Sequence, residues 1–153
     1  MLTSIYAPNE DNPQFLRTSL TIWKFRSVKK NILGGDFNLV LDLGEDKKGG
    51  LVKTHTKALK LIKRYAAKLD LIDAWRVLDQ DGRRYTRRRR NPEIHSRLDF
   101  FLASQSVMSN VKDNDISTGY KTDHSLITIK IAHHSNVRGA VFWNLNTSFL
   151  KET

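Results

Sequence analysis

The sequence predicts an α/β protein in which helices pack on a sheet, and three observations point to it. A β-rich segment at 2–7, an amphipathic stretch at 13–26 and an apolar run at 31–35 give the order strand, helix, strand. A second helical period runs over 55–69, and strand-like runs at 97–103 and 125–131 complete the mixture.

Leu2 to Ala7 alternates apolar and polar residues and is rich in β-formers, with Pro8-Asn9 ending the run. Asn12-Pro13 then supplies an N-cap and a first helical residue. Phe15, Leu16, Leu20 and Trp23, with Phe25 beyond, follow at helical spacing, which predicts a helix from about Pro13 to Arg26 packed on a sheet. Asn31-Ile32-Leu33-Gly34-Gly35 reads as a buried strand whose glycines let the chain turn before Asp36-Phe37-Asn38. Whether the two strands adjoin, and in which sense, is left open by the pattern.

Asp46-Lys47-Lys48-Gly49-Gly50, a charged glycine loop, is expected at the surface. In the next helix Leu59, Ile62, Ala66 and Leu69 share one face and lysines and Arg64 occupy the others. Leu71 to Trp75 reads as a short buried segment and Asp79 to Gly82 as a turn. Strands starting at Arg84 and Arg97 suggest a hairpin, with Arg87 to Arg90 in its loop and a turn at Asn91-Pro92. A short helix is expected over 104–110, a strand over 111–117 and another over 125–131. From Ala132 the periodicity fades, which makes 1–131 the domain and 132–153 a tail or linker.

The 153 residues suffice for one domain, and 39% of them are apolar. Lys and Arg number 26 against 16 Asp and Glu, a formal charge of +10 that favours polyanionic partners, nucleic acid first. No apolar run approaches the roughly 18 residues of a membrane span, so no membrane partner is expected. There is no cysteine, which excludes disulfides and thiolate metal sites and leaves oxygen or imidazole to hold any metal.

Asp36 and Asn38 after one strand, Asp99 at another and Asp123-His124 before a third share a strand-end placement. Carboxylates, a carboxamide and an imidazole converging from separate segments suit metal-assisted attack of water on a phosphate. Asp99 with His124 is the expected dyad and Asp123 the metal-side carboxylate. The competing structural readings are an Asx turn at Asp36, a satisfied core imidazole at His124, and pairing of Asp99 with nearby Arg97. His55 and His133-His134 are expected to face solvent. Six arginines lie within 83–90, flanking a tyrosine, and suit phosphate oxygens better than a merely solvated loop.

Tyr6-Ala7-Pro8-Asn9, Gly35-Asp36-Phe37-Asn38, Tyr85-Thr86, Ser96-Arg97-Leu98-Asp99-Phe100-Phe101 and Thr122-Asp123-His124-Ser125 stand in the order of motifs that resembles the endonuclease/exonuclease/phosphatase superfamily. The chain is most similar to the apurinic-endonuclease-like domain of LINE-type non-LTR retrotransposon open reading frame 2 proteins. The resemblance implies a four-layered α/β sandwich of two packed, mostly antiparallel sheets with flanking helices. It implies that Tyr6 touches the scissile phosphate, Asp36 and Asn38 position water, Asp99 orients His124, and Asp123 belongs to the metal site. Asn9, Arg84, Thr86, Arg87, Arg88, Arg89, Arg90 and Arg97 are then the expected DNA-binding residues.

The implied activity is Mg²⁺- or Mn²⁺-dependent nicking of DNA to prime a downstream reverse transcriptase in the parent protein; with no signal-peptide pattern or membrane span in the sequence, an intracellular setting is expected, nuclear or otherwise left open. The family's N-terminal strands, with an asparagine and a metal-binding glutamate, would precede Met1. The chain is therefore expected to be the C-terminal portion of the domain, with little or no nicking of its own. A nucleic-acid-binding module without catalysis and a phosphatase branch of the same superfamily are the alternatives.

Overall fold

The computed structural model describes residues 1–24, 30–50, 55–119 and 122–132. Phe25, Arg26, Lys121, His133-His134 and the remainder of the tail lie outside them. Strand β1, Leu2–Tyr6, leads into α1, Pro13–Lys24, and returns as β2, Ile32–Asp36. Asn12 caps α1 as expected, its Oδ1 accepting the Phe15 N–H at 3.0 Å. β1 and β2 are adjacent and parallel, which the crossover helix allows. Two further strands, β4 (Leu71–Asp73) and β7 (Asp99–Ser104), complete a four-stranded sheet in the order β1-β2-β7-β4, with β7 antiparallel to both of its neighbours.

One face of this sheet is covered by α1 and by α2, Thr56–Lys68. Leu16, Leu20, Ala58 and Ile62 meet Leu33, Phe37, Phe100 and Leu102 there. Phe37 and Phe100 stack at 4.0 Å between ring centroids. Alternation sends Ile32 and Ala103 to the opposite face, against Val107 and Met108 of α4 (Gln105–Met108) and Val111 of β8 (Val111–Ser117). β8 pairs with β9, Leu126–Ile131, as a second, antiparallel sheet on that side. Helices and sheets in layers make the fold an α/β sandwich.

Both glycines of the turn are required by close approach. A Cβ at Gly34 would sit 2.3 Å from the Phe101 ring, and one at Gly35, whose φ is +137°, would lie 2.1 Å from the Ile5 carbonyl oxygen. Gly35→Ala is therefore expected to cost about 1–3 kcal/mol through strain at that backbone region. A fall in the urea midpoint with the slope unchanged would show it.

Two expectations need correction. The arginine run is a strand rather than a loop: β5, Arg87–Arg89, pairs antiparallel with β6, Ile94–Ser96, around a turn at residues 90–93. β6 also pairs with β3, Lys47–Lys48, so a central strand supplies backbone partners that β5 attracts without any apolar alternation. The run 97–103 divides accordingly, with Arg97-Leu98 crossing from the β6 sheet to β7.

The second correction concerns the charged loop 46–50, which is not wholly surface. Asp46 is 1% exposed and receives Arg97, itself 1% exposed, through Nε–H at 2.7 Å and Nη2–H at 2.9 Å. Arg97 also reaches Asp73, and Arg76 donates to Asp46 at 2.7 Å. Asp73 in turn caps α3, Ala74–Leu78, accepting the Trp75 N–H at 3.1 Å. Burial disfavours the Arg97 charge, but the two carboxylates outweigh it and hold the guanidinium above its ordinary value.

Candidate active site

In the sheet register Tyr6 pairs with Asp36 and Asp36 with Asp99, so three neighbouring strands present their end residues in one row. Strand alternation turns that row to the face away from α1 and α2. The backbone extends beyond it through the Ala7 N–H, which donates to the Asp36 carbonyl at 2.8 Å, and the Phe37 N–H, which donates to the Leu98 carbonyl at 2.9 Å.

Asn38 follows with φ +48°, an unusual conformation that asparagine tolerates. Its N–H donates to Asp36 Oδ1 at 2.8 Å, and its Nδ2–H donates to the Ala7 carbonyl at 2.6 Å. The Asx-turn reading and the site reading of this segment are thus compatible: the turn fixes the Asn38 amide and leaves its Oδ1 available.

His124 comes from the segment before β9. Its Nδ1 lies 3.0 Å from Asp99 Oδ2, with the imidazole 29% and the carboxylate 14% exposed. Ligand atoms of Asp36, Asp99 and His124 all lie within 4.8 Å of one another. The pairing of Asp99 with Arg97 does not occur, since Arg97 is engaged by Asp46 and Asp73.

Burial, the largest influence, pushes the Asp36 carboxyl above its ordinary 3.8; the Asn38 N–H opposes this, the Asp99 charge adds to it, and His124 and Arg87 oppose it. A folded-state value above the unfolded one means the native state binds more protons, so this group's contribution to stability falls as pH rises above 3.8. Asp36→Asn, which retains an oxygen acceptor for Asn38, is expected to raise Tm near pH 7 by on the order of 1–3 °C. The gain should vanish near pH 3, where both side chains are neutral; melts at the two pH values check the sign.

Thr86 was expected near the DNA surface and is instead completely buried, at 0% exposed. Its Oγ1 accepts the N–H groups of Leu98 at 2.9 Å and Asp99 at 3.0 Å, and its carbonyl accepts the Ser125 N–H at 2.6 Å. One residue thereby fixes the backbone at Asp99 and next to His124. It is a positioning residue that the sequence motif marked without revealing its task.

The arginines separate into different environments. Arg97 is buried in its carboxylate cluster and has no surface to offer a phosphate. Arg84 pairs with Asp115 at 2.7 Å, Arg88 donates to Ser125 Oγ at 2.7 Å, and Arg89 donates to the Asn91 carbonyl at 3.0 Å. Arg87 approaches Asp123 Oδ2 at 3.4 Å, and Arg90 is exposed in the turn. Asp123, expected at the metal, therefore sits at an exposed rim beside an arginine, outside the Asp36, Asp99 and His124 cluster.

Tyr6 is 74% exposed at the end of the row. Beside the row a cavity of about 200 Å³ opens between Asn9, Asn38, Arg87 and Leu98. His55, expected to face solvent, is partly covered and lines this cavity.

This fold is that of the apurinic endonucleases and related exonucleases and phosphatases. It superposes on an AP endonuclease from Archaeoglobus fulgidus with TM-score 0.72 and 17% identity, covering 85% of this chain and 60% of that one. The 3′ phosphatase NExo from Neisseria, bound to a product DNA hairpin, gives TM-score 0.64 and 18% identity, with 86% and 61% covered. In sequence the chain is similar to the transposon TX1 uncharacterized 149 kDa protein of Xenopus laevis, 24% identical over 156 residues. That match covers 99% of this chain and 12% of the transposon protein, while the chain spans about three fifths of the two solved structures. No protein-family model matches the chain. Among the described residues no helix is long and apolar enough to cross a membrane.

Proposed function

We propose that the chain is the phosphodiester-hydrolysing portion of a DNA endonuclease domain in a retrotransposon-derived protein. The observation that carries this is His124 Nδ1 at 3.0 Å from Asp99 Oδ2, with Asp36 beside the pair. Asp99 accepts the Nδ1 proton and selects the tautomer whose Nε2 is free to take a proton. The Asn38 Oδ1 and the Asp36 carboxylate hold a water against the phosphate, and His124 Nε2 removes its proton as the oxygen bonds to phosphorus. The P–O3′ bond breaks, the 3′-oxygen takes a proton from solvent, and a 3′-hydroxyl and a 5′-phosphate are left while His124 returns its proton to solvent. That hydroxyl suits priming by a reverse transcriptase in the same parent protein, and DNA as substrate implies a nuclear site of action.

The donor set fits a hard divalent cation, Mg²⁺ or Mn²⁺, because Asp36 and Asp99 crowd like charges that a cation would relieve. Their carboxylates would hold it, joined by Asp123 if Arg87 yields. Such an ion supplies Lewis-acid polarisation of the phosphoryl oxygen. Asp99 is already committed to His124, so metal affinity and cleavage are expected to be weak in the 153-residue chain.

Relaxation of supercoiled plasmid tests the assignment. Nicking that needs Mg²⁺, is abolished by EDTA, and is stronger in a version extended at its N terminus is the expected result. DNA binding without metal-dependent cleavage by either version would replace the enzyme with a binding module.

A further inference from the structure

The face of the sheet opposite the catalytic row carries a second basic surface, formed by α2 with a contribution from α1. Within Thr56–Lys68 there are Lys57, Lys60, Lys63, Arg64 and Lys68, and no acidic residue. Lys60 and Arg64, and Arg64 and Lys68, are like-charged neighbours at i,i+4, an arrangement that weakens a helix. Asp11 caps the first turn, accepting the Lys57 and Ala58 N–H groups at 3.1 and 2.8 Å, and leaves the Arg64–Lys68 end without an acid of the helix's own. A merely solvated helix face gains from alternating signs. Here every charge is positive.

Leu61, Arg64, Tyr65 and Lys68, at i, i+3, i+4 and i+7, line one side of a groove of about 310 Å³, and Arg17 of α1 lines the other. Arg64, Lys68 and Arg17 are exposed, whereas Tyr65 is half-buried between them. Cations spaced along a groove, with an aromatic ring at its centre, match the phosphates and one unstacked base of a single strand. A duplex keeps its bases stacked and offers Tyr65 nothing.

We propose that the α1–α2 groove is a second nucleic-acid site, taking a single-stranded polynucleotide on the face opposite the catalytic row. Strand phosphates lie along Arg17, Lys60, Arg64 and Lys68, and a base rests on Tyr65. The chain then holds a single strand and a DNA target at once, on different faces. This does not depend on the proposed hydrolysis, because binding is read without cleavage.

Fluorescence anisotropy of labelled oligouridylate, oligothymidylate and a duplex, each over a range of salt and in EDTA, tests it. The triple variant Lys60→Gln, Arg64→Gln, Lys68→Gln should lower the magnitude of the single-strand salt slope by about 2 units. It should leave the duplex slope unchanged. Tyr65→Phe should retain single-strand affinity, and Tyr65→Leu should lose about tenfold; circular dichroism checks that the helix persists. Preference for uridylate over thymidylate would identify RNA as the strand, and equal affinity would identify single strands of either kind. An unchanged single-strand slope, equal loss on duplex, or transfer of the effect to anionic phospholipid vesicles would overturn the proposal.

Discussion

Arg97→Ala should lower the unfolding free energy by about 3–5 kcal/mol, because it strands buried carboxylates without their cation. Asp46 is 1% exposed and would keep Arg76 and the Asp42 N–H, and Asp73 would keep its helix-capping bonds while losing the guanidinium. Against a typical total of about 5–15 kcal/mol, that loss is a large fraction. On a chain of this size it corresponds to a Tm lower by roughly 6–20 °C. Urea unfolding followed by fluorescence measures it. Asp46→Ala introduced alongside should cost less in the Arg97→Ala background than alone, by a coupling of about 0.5–3 kcal/mol. Additive costs would mean that the cluster is not the unit described.

His124→Ala should leave stability nearly intact and lower metal-dependent nicking by about 10²–10⁴-fold, the usual contribution of a positioned proton-transfer group. The imidazole is 29% exposed and its one strong partner is Asp99, so little packing is lost. Asp99→Asn should cost a similar factor by presenting the wrong tautomer, and combining the two should add little, as expected of residues that act as one unit. The rate is read on supercoiled plasmid in Mg²⁺. Full activity in His124→Ala would remove the dyad from the mechanism.

Much of this molecule is readable from its sequence wherever apolar period and turn chemistry agree. The strand through Gly34-Gly35, the N-cap of α1, the apolar face of α2 and the strand at Leu126–Ile131 all follow local rules, and the structure has them, although Leu126 and Ile131 of that strand are exposed. The dyad was legible because its two halves sit in distinctive company: Asp99 inside an apolar strand, His124 after Asp123 and before β9. Local rules fail where partners are distant. Arg97 and Asp46 are 51 residues apart, and nothing in either neighbourhood says that a guanidinium of a strongly basic chain is buried. Thr86 hides similarly, since a hydroxyl beside Tyr85 and Arg87 looks exposed until the 96–99 crossover brings its N–H groups over it. β5 is invisible to periodicity because every one of its residues is arginine, and only the backbone of β6 makes it a strand.

Thr86, fully buried, holds the backbone at Asp99 and beside His124 through uncharged bonds, whereas Arg87 meets Asp123 at the surface. Mobile ions screen the second kind of interaction and scarcely reach the first. In the proposed reaction, binding of substrate and the alignment of Asp99 with His124 are therefore governed by different physical variables. Raising ionic strength should then increase KM while kcat stays level, which steady-state rates over a range of salt would check.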